Sequence, residues 1–247
     1  MGGYNWNWPI LLKEPYFGWI VSGFGYTCLI AVLAWAIAFP LGSAIGIARS
    51  LDNRFARAAG TLYVDVFRNI PLLVQMFLWY FVVPELLPQD LGRWVKRDMP
   101  YPQLATATFC LGLYTASRVA EQMRSGLQAI PRGQLDAGRA MGLTGFQVYR
   151  YVLIPVAYRI VLPPLTSEFL GVFKNSSLAL TVGVLELTSQ ARQIEEYTFA
   201  SFEAFSVATA LYCAVTLLVI LLMRGIEART RIPGTITASD ARPARSG

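Results

Sequence analysis

Arg118, Glu121 and Arg124 follow one another at intervals of three residues, at the end of a stretch with no charge between Asp98 and Arg118. Asp65 and Arg68 repeat that interval. Residues three apart share a helix face, so the spacing predicts Asp65–Arg68 and Glu121–Arg124 ion pairs. Arg118 is then short of a counter-ion. A guanidinium inside an apolar span is costly unless paired or wetted, and its planar fork fits a carboxylate through two parallel hydrogen bonds. Arg118 is therefore expected to face a cavity and meet a passing carboxylate, with Arg68, Lys174 and Glu121 as companions along the path. The competing reading is that these cations only neutralise Asp65, Glu121 and Glu168. Arg159 can snorkel, or pair with Glu168 on its own span. Lys174 enters Asn175-Ser176-Ser177, where the N-terminus of a half-helix would add donors and positive potential.

A second set of residues suits docking rather than bond chemistry. Gly133-Gln134-Leu135-Asp136-Ala137-Gly138-Arg139-Ala140-Met141-Gly142 is a short, polar, small-residue segment, and Val152-Leu153-Ile154-Pro155 follows ten residues later. Asp136 and Arg139 can pair on one face. Ala137, Gly138 and Ala140 leave a surface flat enough for another protein. Gly142 accepts the left-handed cap that ends a helix. On spacing alone, an ordinary solvated loop helix is the alternative.

No catalytic cluster is apparent. Histidine is absent, which removes the commonest general base and metal ligand. Cys28, Cys110 and Cys213 each fall inside a hydrophobic span, without metal or disulfide spacing. The basic residues are scattered along loops, with no basic-aromatic patch for a nucleic acid. There is no G-x-x-x-x-G-K-[ST] loop, so the chain is not expected to hydrolyse ATP alone.

The elements that must position these residues are membrane spans. Of 247 residues, 55% are hydrophobic and 15% charged. Nothing is charged between Glu14 and Arg49, or between Glu203 and Arg224, and about 20 helical residues cross a hydrocarbon core. Five spans are expected: roughly Gly18–Ala48 with a kink at Pro40, Ala59–Val83, Gln103–Gln122, Tyr151–Phe173 interrupted by Pro155, Pro163 and Pro164, and Ala204–Met223. Ser176–Glu186 is too short to span and reads as a broken or re-entrant helix. Met1–Asn7 lacks a basic segment, so no cleavable signal is expected. If the loops at Arg49–Arg57 and Arg124–Arg150 and the tail from Arg224 are cytoplasmic, they hold 12 of the 21 Lys and Arg residues, against five outside. That bias predicts the N-terminus outside and the C-terminus inside. Residues 1–233 read as one transmembrane domain and 234–247 as a disordered cytoplasmic tail.

The 133–142 segment and its Pro155 tail resemble the EAA loop, here about 131–155, of binding-protein-dependent ABC importer permeases. In that family the loop is the coupling helix that fits a groove on a cytoplasmic ATPase. Asp136 replaces the usual Glu and Gly138 the second Ala, a change that should weaken the isolated helix by roughly 1 kcal/mol. Arg68-Asn69-Ile70-Pro71-Leu72-Leu73-Val74-Gln75 resembles the Arg-x-x-Pro-Leu-x-x-Gln signature of the polar amino-acid subfamily. Pro163-Pro164-Leu165 through Phe173-Lys174-Asn175-Ser176-Ser177-Leu178 resembles its second signature. The likeness runs from about Trp6 to about Pro233. It is nearest to glutamate/aspartate permeases, through Asn5-Trp6-Asn7-Trp8, Trp79 to Pro88, and Pro131-Arg132-Gly133-Gln134.

The resemblance implies an all-α fold of the type I ABC importer permease, about five transmembrane helices plus a coupling helix, in a bacterial inner membrane. It implies ATP-driven import of glutamate or aspartate by alternating access, with glutamine, arginine or histidine as alternative cargo. The coupling residues would be Gly133, Gln134, Asp136, Ala137, Gly138, Gly142 and Pro155. Expected partners are two cytoplasmic ATPase subunits, which would bind ATP and Mg, a second permease or a copy of this one, a periplasmic amino-acid-binding protein, and membrane lipid. An ion-coupled carrier is the rival class; the absence of an internal inverted repeat argues against it.

Overall fold

The computed structural model describes residues 6–230, so the expected tail at 234–247 lies outside the described residues. After a 3-10 turn at Trp8–Leu12, the long helices are α1 (Tyr16–Ala48), α2 (Arg54–Asn69), α6 (Pro102–Gln128), α9 (Ile154–Asn175) and α11 (Ser201–Thr230). Between them lie α3 (Leu72–Phe77), α4 (Val83–Leu86), α5 (Gln89–Arg93), α7 (Arg132–Ala140), α8 (Gly145–Val148) and α10 (Leu187–Thr198). No strand occurs among the described residues.

Three helical stretches are long and apolar enough to cross a membrane: Tyr16–Ala48, Gly145–Val182 and Ser201–Arg229. The stretch expected as one straight span from Ala59 to Val83 is instead two segments, bent by 102° between Asn69 and Leu72. Pro71 causes the break. It has no amide to donate, and it pushes Ile70 into extended geometry, φ −90° and ψ 127°. Gln75 repairs the damage, its Nε2 donating to the Phe67 and Ile70 carbonyls at 2.8 Å each. The Pro and Gln of the Arg-x-x-Pro-Leu-x-x-Gln pattern are thus a hinge and its filler.

α6 has 27 residues, ample length at about 1.5 Å per residue, yet it is less apolar than its neighbours. Much of it is buried against the rest of the chain. α1 runs parallel to it at backbone contact: a Cβ at Gly42 would lie 2.5 Å from the Ala116 carbonyl oxygen, and one at Gly46 2.6 Å from that of Ala120. Ala31, Ala34 and Ala38 continue the small-residue seam, fully buried. On the other side α9 runs antiparallel to α6, with Val161 Cγ1 2.2 Å from where a Gly126 Cβ would be.

The fourth span is more continuous than its prolines suggest. α9 passes through Pro163 and Pro164 unbroken, and Pro155 sits in its first turn behind a π-helical turn at Tyr149–Leu153. π-helical turns at Leu78–Val82 and Trp94–Asp98 likewise end two residues before Pro84 and Pro100. The wider turn accommodates a residue that cannot donate to the i−4 carbonyl. Ser176–Val182 is no separate re-entrant helix: it extends α9 as a 3-10 helix and stops at Gly183, φ +89°. Lys174 therefore lies at the C-terminal end of α9, and the N-terminus expected there does not exist. The nearest one, that of α10, is capped by the Glu186 carboxylate.

Candidate coupling surface and substrate path

The docking segment folds as α7. Its end is a Schellman motif: Leu143 donates to the Gly138 carbonyl at 3.2 Å and Gly142 to that of Arg139 at 2.9 Å, with Gly142 at φ +82°. A residue with a Cβ is strained there. Thr144 and Gln147 then form a reciprocal capping box at the start of α8.

The exposed face of α7 carries Gly133, Gln134, Asp136, Ala137, Arg139 and Ala140. Space is open around Gly133, so nothing in its own chain requires a glycine. Asp136 does not pair with Arg139, and no ion pair to it occurs among the described residues. Gly138 departs from expectation. It faces inward, where a Cβ would lie 3.0 Å from Val148 Cγ2, so its smallness seats α7 on its own chain rather than on a partner. Pro155 is exposed but lies beyond α8, at the root of α9. Composition did not single out Met141 and Phe146, 73% and 74% exposed. The detectable signal was two large apolar residues bracketing a glycine turn in a polar loop. The Tyr149 hydroxyl, donating to the Ser50 carbonyl at 2.8 Å, ties this region to the end of α1.

Inside the bundle, pairing differs from the local spacing. Arg118 is not short of a counter-ion. Its Nε donates to Glu168 Oε2 at 2.5 Å and its Nη2 to Oε1 at 3.3 Å, while Gln122 Nε2 also donates to Oε1. Glu168 belongs to α9, fifty residues away, and is claimed by Arg118 rather than Arg159. The Glu168 side chain is 9% exposed and that of Arg118 44%, so the pair presents its cationic side.

The surplus charge sits one turn further along α6. Glu121 receives Arg49 at 2.7 Å, Arg124 at 3.5 Å and Arg68 at 3.8 Å. Arg49 is the partner that spacing could not supply, since it arrives from the end of α1. Arg68 reaches Glu121 across the α2–α6 contact, and Asp65, expected as its mate, is exposed and outside every ion pair among the described residues. Arg118, Glu121 and Arg68 are thus brought to one region; no contact joins Lys174 to them.

Similarity to known proteins follows this architecture. The family described as binding-protein-dependent transport system inner membrane component matches residues 38–232. The glutamate/aspartate import permease protein GltJ of Escherichia coli strain K12 is 45% identical over 240 residues, covering 94% of this chain and 98% of that protein. The probable glutamine ABC transporter permease protein GlnM of Bacillus subtilis strain 168 is 32% identical, covering 81% and 88%. Among solved structures, a chain of an amino acid ABC transporter with histidines superposes with a TM-score of 0.78 at 29% identity, covering 92% of this chain and all of that one. A chain of the inward-facing MetNI methionine ABC transporter gives 0.71 at 21% identity, covering 89% and 100%, a likeness of fold. Long helices α1, α2 and α9 packed on α6, an exposed capped helix and a match over most of its length agree: the chain belongs to the binding-protein-dependent transport system inner membrane components, the permeases of ABC importers.

Proposed function

We propose that this permease carries glutamate or aspartate inward, driven by ATP hydrolysed on partner subunits. The observation that carries the cargo is the 45% identity, over nearly the full length of both chains, to a permease named for glutamate and aspartate. The chemistry is compatible. A dicarboxylate passing Arg118 would exchange with Glu168 for the same guanidinium, and its α-ammonium would find Glu168 in return, so a zwitterion could split the pair without stranding either charge. Arg68, Glu121 and Lys174 extend the proposed path.

The assembly in this reading has two copies of a cytoplasmic ATPase, holding ATP and Mg, two permease chains, identical or homologous, and a periplasmic amino-acid-binding protein. The contribution of this chain is the face bearing Gly133, Gln134, Asp136 and Ala137, with Gly142 fixing its end and Pro155 at the root of α9. Residues 1–233 form the transmembrane domain, with the N-terminus periplasmic and the C-terminus cytoplasmic. Movement of α7 would reach α9 through the helical stretch Gly145–Val182. A relative named for glutamine motivates a second cargo reading. Competition of an amino-acid panel against radiolabelled glutamate uptake, in vesicles holding the whole importer, decides between them. Inhibition by aspartate but not glutamine supports the proposal; the reverse order sinks it.

A further inference from the structure

A cleft of about 310 Å³ opens at the end of the bundle that carries α7, walled by the end of α1, the start of α2, the end of α6 and the turn into α9. Arg49, Arg57 and Arg124 line it, with Tyr149 beside them and Leu127 and Leu153 as the apolar part of the wall. Its charge does not balance. Glu121 is the one carboxylate within ion-pair distance of Arg49, Arg68 and Arg124 among the described residues. Arg57 donates to the Leu51 carbonyl at 2.9 Å, and its one carboxylate among the described residues is the fully exposed Asp52 at 3.8 Å, a pairing that solvent screens to little.

We infer that this cleft holds the phosphodiester headgroup of an anionic phospholipid, from the leaflet on the α7 side. A phosphate would balance the cationic wall formed by Arg49, Arg57 and Arg124, and guanidinium forks suit phosphate geometry. A soluble anion would satisfy the same arginines, but the surroundings favour a ligand with tails. On α2, the helix bearing Arg57, Phe55 and Leu62 are 72% and 66% exposed. Arg54 lies over the Phe55 ring at 4.9 Å, an aromatic-basic pairing suited to a membrane interface. Basic pockets between transmembrane helices are a known setting for anionic headgroups.

The test is native mass spectrometry of the whole detergent-solubilised importer, titrated with phosphatidylglycerol or with phosphatidylcholine of the same chains. Phosphatidylglycerol should be retained preferentially. Arg57→Gln together with Arg124→Gln should weaken its binding at least about tenfold, leaving phosphatidylcholine unchanged. Because Arg124 is half-buried, the double variant could disturb the fold. Arg57→Gln alone, at an exposed position, should still weaken binding about fivefold. Equal retention of the two lipids, or wild-type affinity in Arg57→Gln, overturns the assignment. So does displacement of phosphatidylglycerol by excess inorganic phosphate, which would make the cleft a soluble-anion site. Loss of the ATPase subunits from Arg57→Gln would instead make it a socket for a partner carboxylate, and the lipid reading would fall.

Discussion

Arg118 and Glu168 are unequal partners: the acid is 9% exposed and the base 44%. Removing the base strands a buried carboxylate, whereas removing both leaves only a small void, so the two experiments separate structure from transport. Arg118→Ala is expected to lower glutamate uptake at least about tenfold, the loss of one charge-assisted contact of about 1.5–3 kcal/mol. If the pair merely holds α6 to α9, Arg118→Ala with Glu168→Ala recovers uptake; if Arg118 meets cargo, the double variant stays impaired. Local spacing found the Glu121–Arg124 pair, present at 3.5 Å, but gave Arg68 the wrong mate, Arg118 none, and Glu121 no other partner. An i,i+3 rule sees only neighbours along one helix, and the partners Arg49 and Glu168 come from α1 and α9. Gly142 was legible for the opposite reason. Its conformation is a property of the residue itself, and no distant contact is needed to infer it.

Among the elements, α7 is set by its cap. Gly142→Gln places a side chain at φ +82°, costing about 1–2 kcal/mol and reorienting the segment without touching a span. Membrane insertion should be normal and ATP-driven uptake strongly reduced. Asp136→Lys should do the same by reversing charge on the exposed face, and normal uptake in both variants would end the docking assignment. α10 is held differently. Glu186, outside the long spans, accepts from the amides of Thr188 and Ser189 and from the Tyr212 hydroxyl. Burial pushes its carboxyl above the ordinary value of 4.5, while those donors pull the other way. A raised carboxyl pKa means that the folded state binds the proton more tightly. Stability from this group therefore falls as pH rises from 4.5 through the folded value. The melting temperature of the wild type minus that of Glu186→Gln should decline across that window; a difference that grows with pH contradicts it. The α2–α3 bend escaped the sequence reading because hydropathy reports composition, not direction.

For the whole molecule, the remaining question is which end faces the cytoplasm. In a background without Cys28, Cys110 and Cys213, a cysteine at Glu195 or Glu196 should react with an impermeant thiol reagent added to intact cells. One at Arg132 or Gly133 should not. Labelling at Gly133 from outside would invert the topology. The first and last spans were readable because uncharged runs of the required length mark Tyr16–Ala48 and Ser201–Arg229. The arrangement was not, because the α1–α6 seam is made of glycine and alanine, residues that carry no charge or size to mark a contact.

The path from Gly145 to Val182 has 38 residues and, at about 1.5 Å per residue, is close to 57 Å long. In the proposed coupling it would act as a beam anchored near one tip by the Tyr149–Ser50 bond. The Tyr149–Ser50 bond lies beside the driven end, so a swing of about 10° there displaces the opposite tip by about 10 Å by simple trigonometry on that length. In the proposed coupling, a small movement at the docking helix would thereby be magnified at the opposite end of the stretch. The stiffness of that beam, more than the strength of any single contact on α7, would then set how much of each stroke arrives.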